Sequence, residues 1–593
     1  MKDFKTCFIS LSLALMMAGC SDSTPDEPDV VPPQPETPVD PDNPDEEEPY
    51  KGFNAYYVSP ESAADADGTI GKPFSSIRDA LQHVASGDTV FVCPGEYVEH
   101  SIKPPVSGTP EAMVVIKAVS AGTAIIKHPG TNVSDATQLF DLTGRSYIRI
   151  DGLRFSGFKY GKASVRLRQS TGCIISNNIF EDLGNNEIAA YDATHVINCT
   201  ESSHNIIANN RFERCYGDAI SISSSSRENL VVSNTFIDLY GKPRSWAGPN
   251  GGVFSAAMNE GSSGEAGNNL FAFNKAENIQ KFFWFDRDGS RNIALRNVVK
   301  NGESCAFNES RCVGNIFMEN IGYDCYRTAF DTAKYDTGDE EDTQWINNVA
   351  YNCKGGFAID KAHRSTFRNN IVVFSSGYDF TLTERAAGFG PHTFTGNLWY
   401  NPSKEKSISY RGKAITPQEF GETVNDDVQV FGDPIFKNPA NGDFTLSTDS
   451  PAKGKGVYGN DLGAYSVYGP TAMGQTETSA SLYQSPIEAQ FGAFFAALTS
   501  NGSATVAINL NRPSKKAVTV RIAPVAGDLR NNVDFTIDAN AVTFNPGETT
   551  SNISIHFSAK GERDQIVAFR IVSATNASIG PTSTFIVKVT RTN

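Results

Sequence analysis

The sequence predicts an all-β chain: a coil of short stacked parallel strands, followed by a small antiparallel β-sandwich. Three observations carry this reading. A short apolar alternation closed by Asn recurs eight times between Ile174 and Tyr400. Residues 488–593 instead alternate apolar and polar positions in six segments separated by turn residues, the pattern of a sandwich. The chain has 50 Gly against 7 Met and 4 Trp, which favours turns over long helices.

At the N-terminus, Lys2 and Lys5 precede an apolar run, Phe8 to Met17, and then Met-Ala-Gly-Cys ending at Cys20. This resembles a bacterial lipoprotein signal, which implies removal of residues 1–19 and lipid attachment at Cys20. Ser21 and Asp22 are similar to the export signal of Bacteroidetes surface lipoproteins. That resemblance implies a lipid-anchored, cell-surface position at the outer membrane. Residues 20–52 form a tether. Ser21–Pro49 holds eleven Asp and Glu, nine Pro and no Lys or Arg, so it repels itself and has nothing to bury.

Removing those eleven carboxylates from the net charge of −16 leaves −5 for the rest. A mildly acidic body without a basic patch excludes nucleic acid as a partner. No apolar run of 18 residues follows the N-terminus, so no transmembrane helix is expected. Eight cysteines remain beyond Cys20, too few for a disulfide scaffold. They read as buried thiols, with Cys305 and Cys312 the one close pair able to bridge.

The repeat runs IISNNIF (Ile174–Phe180), IIANNRF (Ile206–Phe212), LVVSNTF (Leu230–Phe236) and LFAFNKA (Leu270–Ala276). It continues with IALRNVV (Ile293–Val299), WINNVAY (Trp345–Tyr351), FRNNIVV (Phe367–Val373) and FTGNLWY (Phe394–Tyr400). Asn210 to Asn234, Asn274 to Asn297 and Asn348 to Asn370 are 24, 23 and 22 residues apart, one turn of a coil of three short strands. Wider spacings need inserted loops. No five-residue strand is stable alone, so the copies must stack and share a core. Asn suits the corners, where it tolerates left-handed backbone angles and its amide bonds to the next turn.

With these repeats the chain resembles the right-handed parallel β-helix proteins of the pectate-lyase superfamily. The entry segments AYYVSP (Ala55–Pro60) and Gly71–Glu99 carry the same resemblance. Within them, Ser75–Ala85 reads as a short amphipathic helix, with Ile77, Leu81 and Val84 on one side, capping the coil before strand Thr89–Val92. The β-helix spans 53–470 and ends in the tail Asp433–Gly456. A linker follows at 471–487, then the sandwich at 488–593. Val533–Ile555 resembles a Calx-β or immunoglobulin-like module without its acidic calcium loops, which implies a structural or carbohydrate-facing role.

Equivalent positions in stacked coils lie ~4.8 Å apart, so an outward polar row becomes a compact site. Alignment of DAISIS (Asp218–Ser223), FWFDRD (Phe283–Asp288), CAFNES (Cys305–Ser310), TAFDTAK (Thr328–Lys334) and FAIDKAHR (Phe357–Arg364) turns Ile220, Phe285, Phe307, Phe330 and Ile359 inward. The outward row is then Ser221, Asp286, Asn308, Asp331 and Asp360. Carboxylates so close need a cation, a proton or a substrate between them, and calcium suits oxygen donors. The superfamily resemblance implies calcium-assisted β-elimination of a uronic-acid polysaccharide. Asp286, Asn308, Asp331 and Asp360 would bind calcium, and Lys361, then Lys334, would act as base. Arg364 and Arg287 would hold substrate carboxylate, with His363, Trp345 and Tyr335 lining the site and Trp284 a further aromatic face. The acidic loop Asp336–Asp342 is a further stretch able to bind a cation.

Three other readings stay open. The same row fits glycoside hydrolysis, with Asp331 and Asp360 ~5 Å apart as nucleophile and acid. FAIDKAHRS faintly resembles an alginate epimerase motif, which implies carbon-5 epimerisation. A non-catalytic glycan-binding or adhesive rod is the fourth. Each is compatible with a monomer bearing an anionic polysaccharide partner and an outer-membrane lipid anchor.

Overall fold

In a computed structural model of the 593-residue chain, the described residues are 53–590. Residues 63, 130–137, 158–162, 185–194, 240–252, 257–265, 287–288, 309–310, 333–339, 427, 471–486, 500–501 and 559–563 are excepted. Cys20 and the tether therefore lie outside the described residues.

Three long sheets wind around one core, with 13, 12 and 12 strands, all parallel but for the antiparallel pair Ile408–Tyr410 and Lys413–Ile415 at the end of the third. Each coil contributes one strand to each sheet, as Ile174–Ser176, Ile179–Glu181 and His195–Thr200 do in turn. The interior is filled by side chains that repeat their position from coil to coil. Phe155, Phe180, Phe212 and Phe236 stack at 4.6, 4.9 and 4.9 Å between ring centroids. The expected capping helix is shorter than predicted, Ile77–Leu81, started by Ser76, whose hydroxyl accepts from the Asp79 N–H. It closes one end, and Phe420 of helix Pro417–Val424 closes the other against Phe380 and Phe394.

The marker asparagines form one continuous buried ladder: Asn178, Asn210, Asn234, Asn274, Asn297, Asn320, Asn348, Asn370 and Asn397. Each amide donates to the next Oδ1 at 2.9–3.1 Å. Asn320 fills the interval from Asn297 to Asn348, a rung the sequence reading passes over. The left-handed residue is not the ladder Asn but the one before it: φ is +58° at Asn177, +52° at Arg296 and +55° at Glu319. A second ladder, Asn205, Asn229, Asn269, Asn292 and Asn315, lines another corner and was not anticipated. Replacing Asn297 by Ala strands the Asn274 N–H, part of the Asn274 amide and the Phe271 carbonyl, all buried. At ~1–3 kcal/mol per unsatisfied group, a loss of about 3 kcal/mol is expected in denaturant unfolding.

All eight described cysteines are buried thiols outside any disulfide, so Cys305 and Cys312 do not bridge. The core instead uses seven of them, all but Cys93, as small apolar side chains.

The coil is followed by two five-stranded sheets built from Glu488–Thr590, with their own core around Val506, Ile508, Val520, Phe569 and Val587. This sandwich does not stand apart. Its Val525, Ala526, Ile566, Ala568 and Ile586 pack on Ile206, Leu230, Leu270, Ile293 and Ile316 of the first sheet's outer face. The tail covers much of the second: Val430, Phe444, Leu446 and Leu462 lie on Ile321, Val349, Ile371 and Leu398. The module thus packs directly on the coil. Among the described residues no such layer covers the third sheet.

Candidate functional site on the third sheet

Along the third sheet, alternation sets inside from outside. Val165, Leu167, Ile197, Cys199, Ile220, Ile222, Phe283 and Phe285 are buried, while Arg166, Asn198 and Trp284 between them are half-exposed. Where the chain enters this sheet it bends. The N–H groups of the successive residues Val196 and Ile197 both donate to the next coil, at Asp218 and Ala219. Two consecutive residues therefore face inward, as Phe282 and Phe283, Cys305 and Ala306, or Ala329 and Phe330 do.

The backbone pairing fixes one row, level with Arg166, Asn198 and Trp284, running Asp141, Arg166, Asn198, Ser221, Phe254, Trp284, Phe307, Asp331, Ala358, Thr381 and Ser409. This is not the predicted row. Asp286 pairs with Ala256 and lies two residues beyond Trp284. Asn308 pairs with Phe285 and Thr332, the level of buried side chains. Only Asp331 stands in the row, beside Ala358; Asp360 lies two residues further along. Asp286 and Asp360 share a level but are three coils, ~14 Å, apart. The four expected calcium ligands do not converge, so this set does not fit the ion. Among the described residues no three His, Cys, Asp or Glu side chains group closely enough to hold a metal.

The expected substrate and catalytic residues also separate. Trp345 is fully buried, stacked on Phe317 at 4.2 Å, so it is core rather than a sugar platform. An outward tryptophan there would break the column of rings filling the coil. Arg364 is exposed but committed: it donates to Asp342 at 2.8 Å and to Glu341 at 2.6 Å, and these carboxylates hold its charged form. That accounts for the described end of the acidic loop. His363 stacks on Phe389 at 4.2 Å in a small two-stranded pairing with Glu340–Glu341. Asp360 accepts from Thr383 Oγ1 at 2.8 Å. Lys361 is half-buried in the turn after strand Gly355–Ile359, seven strands from Arg166's. At ~4.8 Å per strand, Lys361 and Arg166 cannot serve one sugar residue. Arg287, Lys334, Tyr335 and residues 336–339 lie outside the described residues.

The structure draws attention instead to the earlier coils. Arg166 and Arg168 project outward from strand Ala163–Arg168, and Arg168 lies 3.8 Å from Glu201. On the next strand, His195 Nδ1 is 3.2 Å from Asp218 Oδ2, on the far side of the bend from Asn198. Further along, Lys281 Nζ sits 4.3 Å from the ring centre of Trp284. The signal for the arginines was in the sequence: Val-Arg-Leu-Arg alternates apolar and basic, as an inside–outside strand does.

Residues 116–243 match a family model described as a right handed beta helix region. Over 106 residues the chain is 33% identical to the pectate lyase PEL9 of Emericella nidulans. That match takes in 17% of this chain and 26% of the relative, so the chain spans about a quarter of that protein's length. Among solved structures it is similar to the PL6 family alginate lyase AlyGC at 12% identity and a TM-score of 0.47. That alignment covers 71% of this chain and 60% of AlyGC. It is also similar to the pectate lyase Pel9A at 15% identity and a TM-score of 0.37, over 70% and 96% of the two chains. The matched segment and the three stacked parallel sheets identify the coil as a right-handed parallel β-helix.

Proposed function

We propose that the protein degrades a uronic-acid-containing polysaccharide by β-elimination on the outer face of the third sheet. The observation that carries this reading is the row Arg166, Asn198, Ser221, Trp284 and Asp331 on a sheet without a packed layer among the described residues. The stretch of likeness to a pectate lyase supports it.

Elimination removes the proton on carbon 5 of a uronic acid, and negative charge builds on the adjacent carboxylate. A preformed cation at that carboxylate stabilises the developing charge, and Arg166 is such a cation. The proton needs a base, and His195, its Nδ1 3.2 Å from Asp218 Oδ2, stands on the neighbouring strand. The hydrolase reading loses its paired carboxylates, because Asp331 and Asp360 are not lateral neighbours.

The test is incubation with polygalacturonate, alginate and glycosaminoglycans, with and without added calcium. Absorbance of the unsaturated product is expected to rise on at least one polymer, and His195→Ala should slow it by ~10²-fold or more. Reducing ends without absorbance would mean hydrolysis instead. No product on any of the polymers would sink the enzymatic reading.

A further inference from the structure

The geometry points to a built subsite for one carboxylate at Arg166, Asn198 and Ser221, resting on the reading that this face binds an anionic polysaccharide. The three residues occupy the same outward level on three successive strands, paired Arg166 to Asn198 and Asn198 to Ser221. Their backbones are therefore ~4.8 Å apart, within reach of a single sugar residue.

Among the described residues, each of the three offers a donor with no recorded acceptor. Arg166 is half-buried, and no carboxylate pairs with it among the described residues. Its neighbour in the row, Asp141, is turned to Thr143, accepting from the Thr143 N–H at 3.0 Å and its hydroxyl at 2.5 Å. The Asn198 amide is oriented from behind. Thr200 Oγ1 donates to Asn198 Oδ1 at 2.8 Å, and Ser223 Oγ lies 3.3 Å from Thr200 Oγ1. With its oxygen engaged, Asn198 presents its NH2 group. Ser221 is 0% exposed, and its Oγ has no hydrogen-bond partner. Buried hydroxyls are ordinarily satisfied, so the Ser221 hydroxyl is a further donor suited to an acceptor placed beside it.

A guanidinium, an amide NH2 and a hydroxyl can all donate together, with a single positive charge. A carboxylate is their complement: planar, singly charged, and able to accept from guanidinium along two parallel bonds. A sulfate ester shares the charge, so the experiment must separate the two. The network Ser223–Thr200–Asn198 makes Thr200 a positioning residue, acting through the amide it orients.

The test measures binding separately from cleavage, by calorimetry on the full chain. The probes are polygalacturonate and alginate, the same polymers with carboxyls reduced to alcohols, and dextran sulfate. Unmodified protein is expected to bind at least one uronate polymer about tenfold or more tightly than its reduced form. Arg166→Gln should erase that difference without weakening the reduced polymer, with an unchanged melting temperature. Thr200→Val should weaken uronate binding about threefold while Arg166 is intact, by letting the amide turn. Arg166→Gln binding uronate as well as the parent would overturn the subsite. Tighter binding of dextran sulfate than of either uronate polymer would overturn its assignment to a carboxylate. Binding that follows the expected pattern with no unsaturated product keeps the subsite and sinks only the lyase reading.

Discussion

A chain ending after residue 470 is expected to aggregate, and to unfold at a clearly lower denaturant concentration than the whole protein. The sandwich is part of the wall of the coil. Without it, Ile206, Leu230, Leu270, Ile293, Leu295, Ile316 and Ile346 on the first sheet would face water as one strip. At ~1.5 kcal/mol for each side chain, the lost burial is roughly 10 kcal/mol, the size of a domain's net stability. A continuous apolar strip also invites association. The cut removes polar partners too. Arg368 loses Asp528, held at 2.6 Å with both side chains buried, and Arg149 loses Glu488 at 2.6 Å. Light scattering and denaturant unfolding of the two chains check this. A truncated chain that stays monomeric with an unchanged midpoint would mean the docking contributes nothing.

Replacing Glu319 by Ala is expected to cost about 3–5 kcal/mol, because it leaves a buried guanidinium that cannot lose its charge. Arg296 and Glu319 are 0% and 1% exposed and pair at 2.7 Å. Arg296 also donates to the carbonyls of Tyr468 and Gly469, at 3.0 Å each, and to that of Val525. Glu319 accepts from the Ser466 hydroxyl at 3.0 Å and the Gly527 N–H at 3.3 Å. One ion pair thus ties the coil, the tail and the sandwich together.

Burial pushes the Glu319 carboxyl up to about 7, against the pull of Arg296, the Gly527 N–H and the Ser466 hydroxyl. Between the ordinary value of 4.5 and about 7, the folded protein holds a proton that the unfolded chain has released. Stability therefore falls as pH rises through that window. Burial also raises Asp528, which adds to the fall with the same sign. Glu319→Ala should flatten part of this slope while lowering stability throughout. Unfolding midpoints at several pH values read both effects. A slope unchanged in the variant would assign it elsewhere.

The inside of the coil was legible because it is written locally. Each strand carries its own apolar alternation and its own corner Asn, whatever the neighbouring coils do. Asn320 was missed because Met-Glu-Asn-Ile-Gly offers a weak apolar signal after the corner. The second ladder had one too, since Asn205, Asn229, Asn269, Asn292 and Asn315 each directly precede an apolar strand.

The site was misread for a physical reason that particular strands show. Phe283 and Phe285 both point inward, as do Phe357 and Ile359, so a slip of two residues keeps every apolar side chain buried. Hydrophobic pattern detects a slip of one, which exchanges faces, and is blind to a slip of two. The bend adds a second difficulty: with Cys305 and Ala306 both inward, parity restarts inside the strand, and Phe307 pairs with Trp284.

A stacked coil of parallel strands, its asparagine corners, the cap at its start and the sandwich that follows could all be read from the sequence. Those are properties of short segments, set by period, turn chemistry and burial. Only the assembled coil shows which side chains are neighbours across coils, which sheet carries no packed layer among the described residues, and that the sandwich seals another. Lateral register and docking are collective, fixed by hydrogen bonds and contacts between residues tens to hundreds of positions apart.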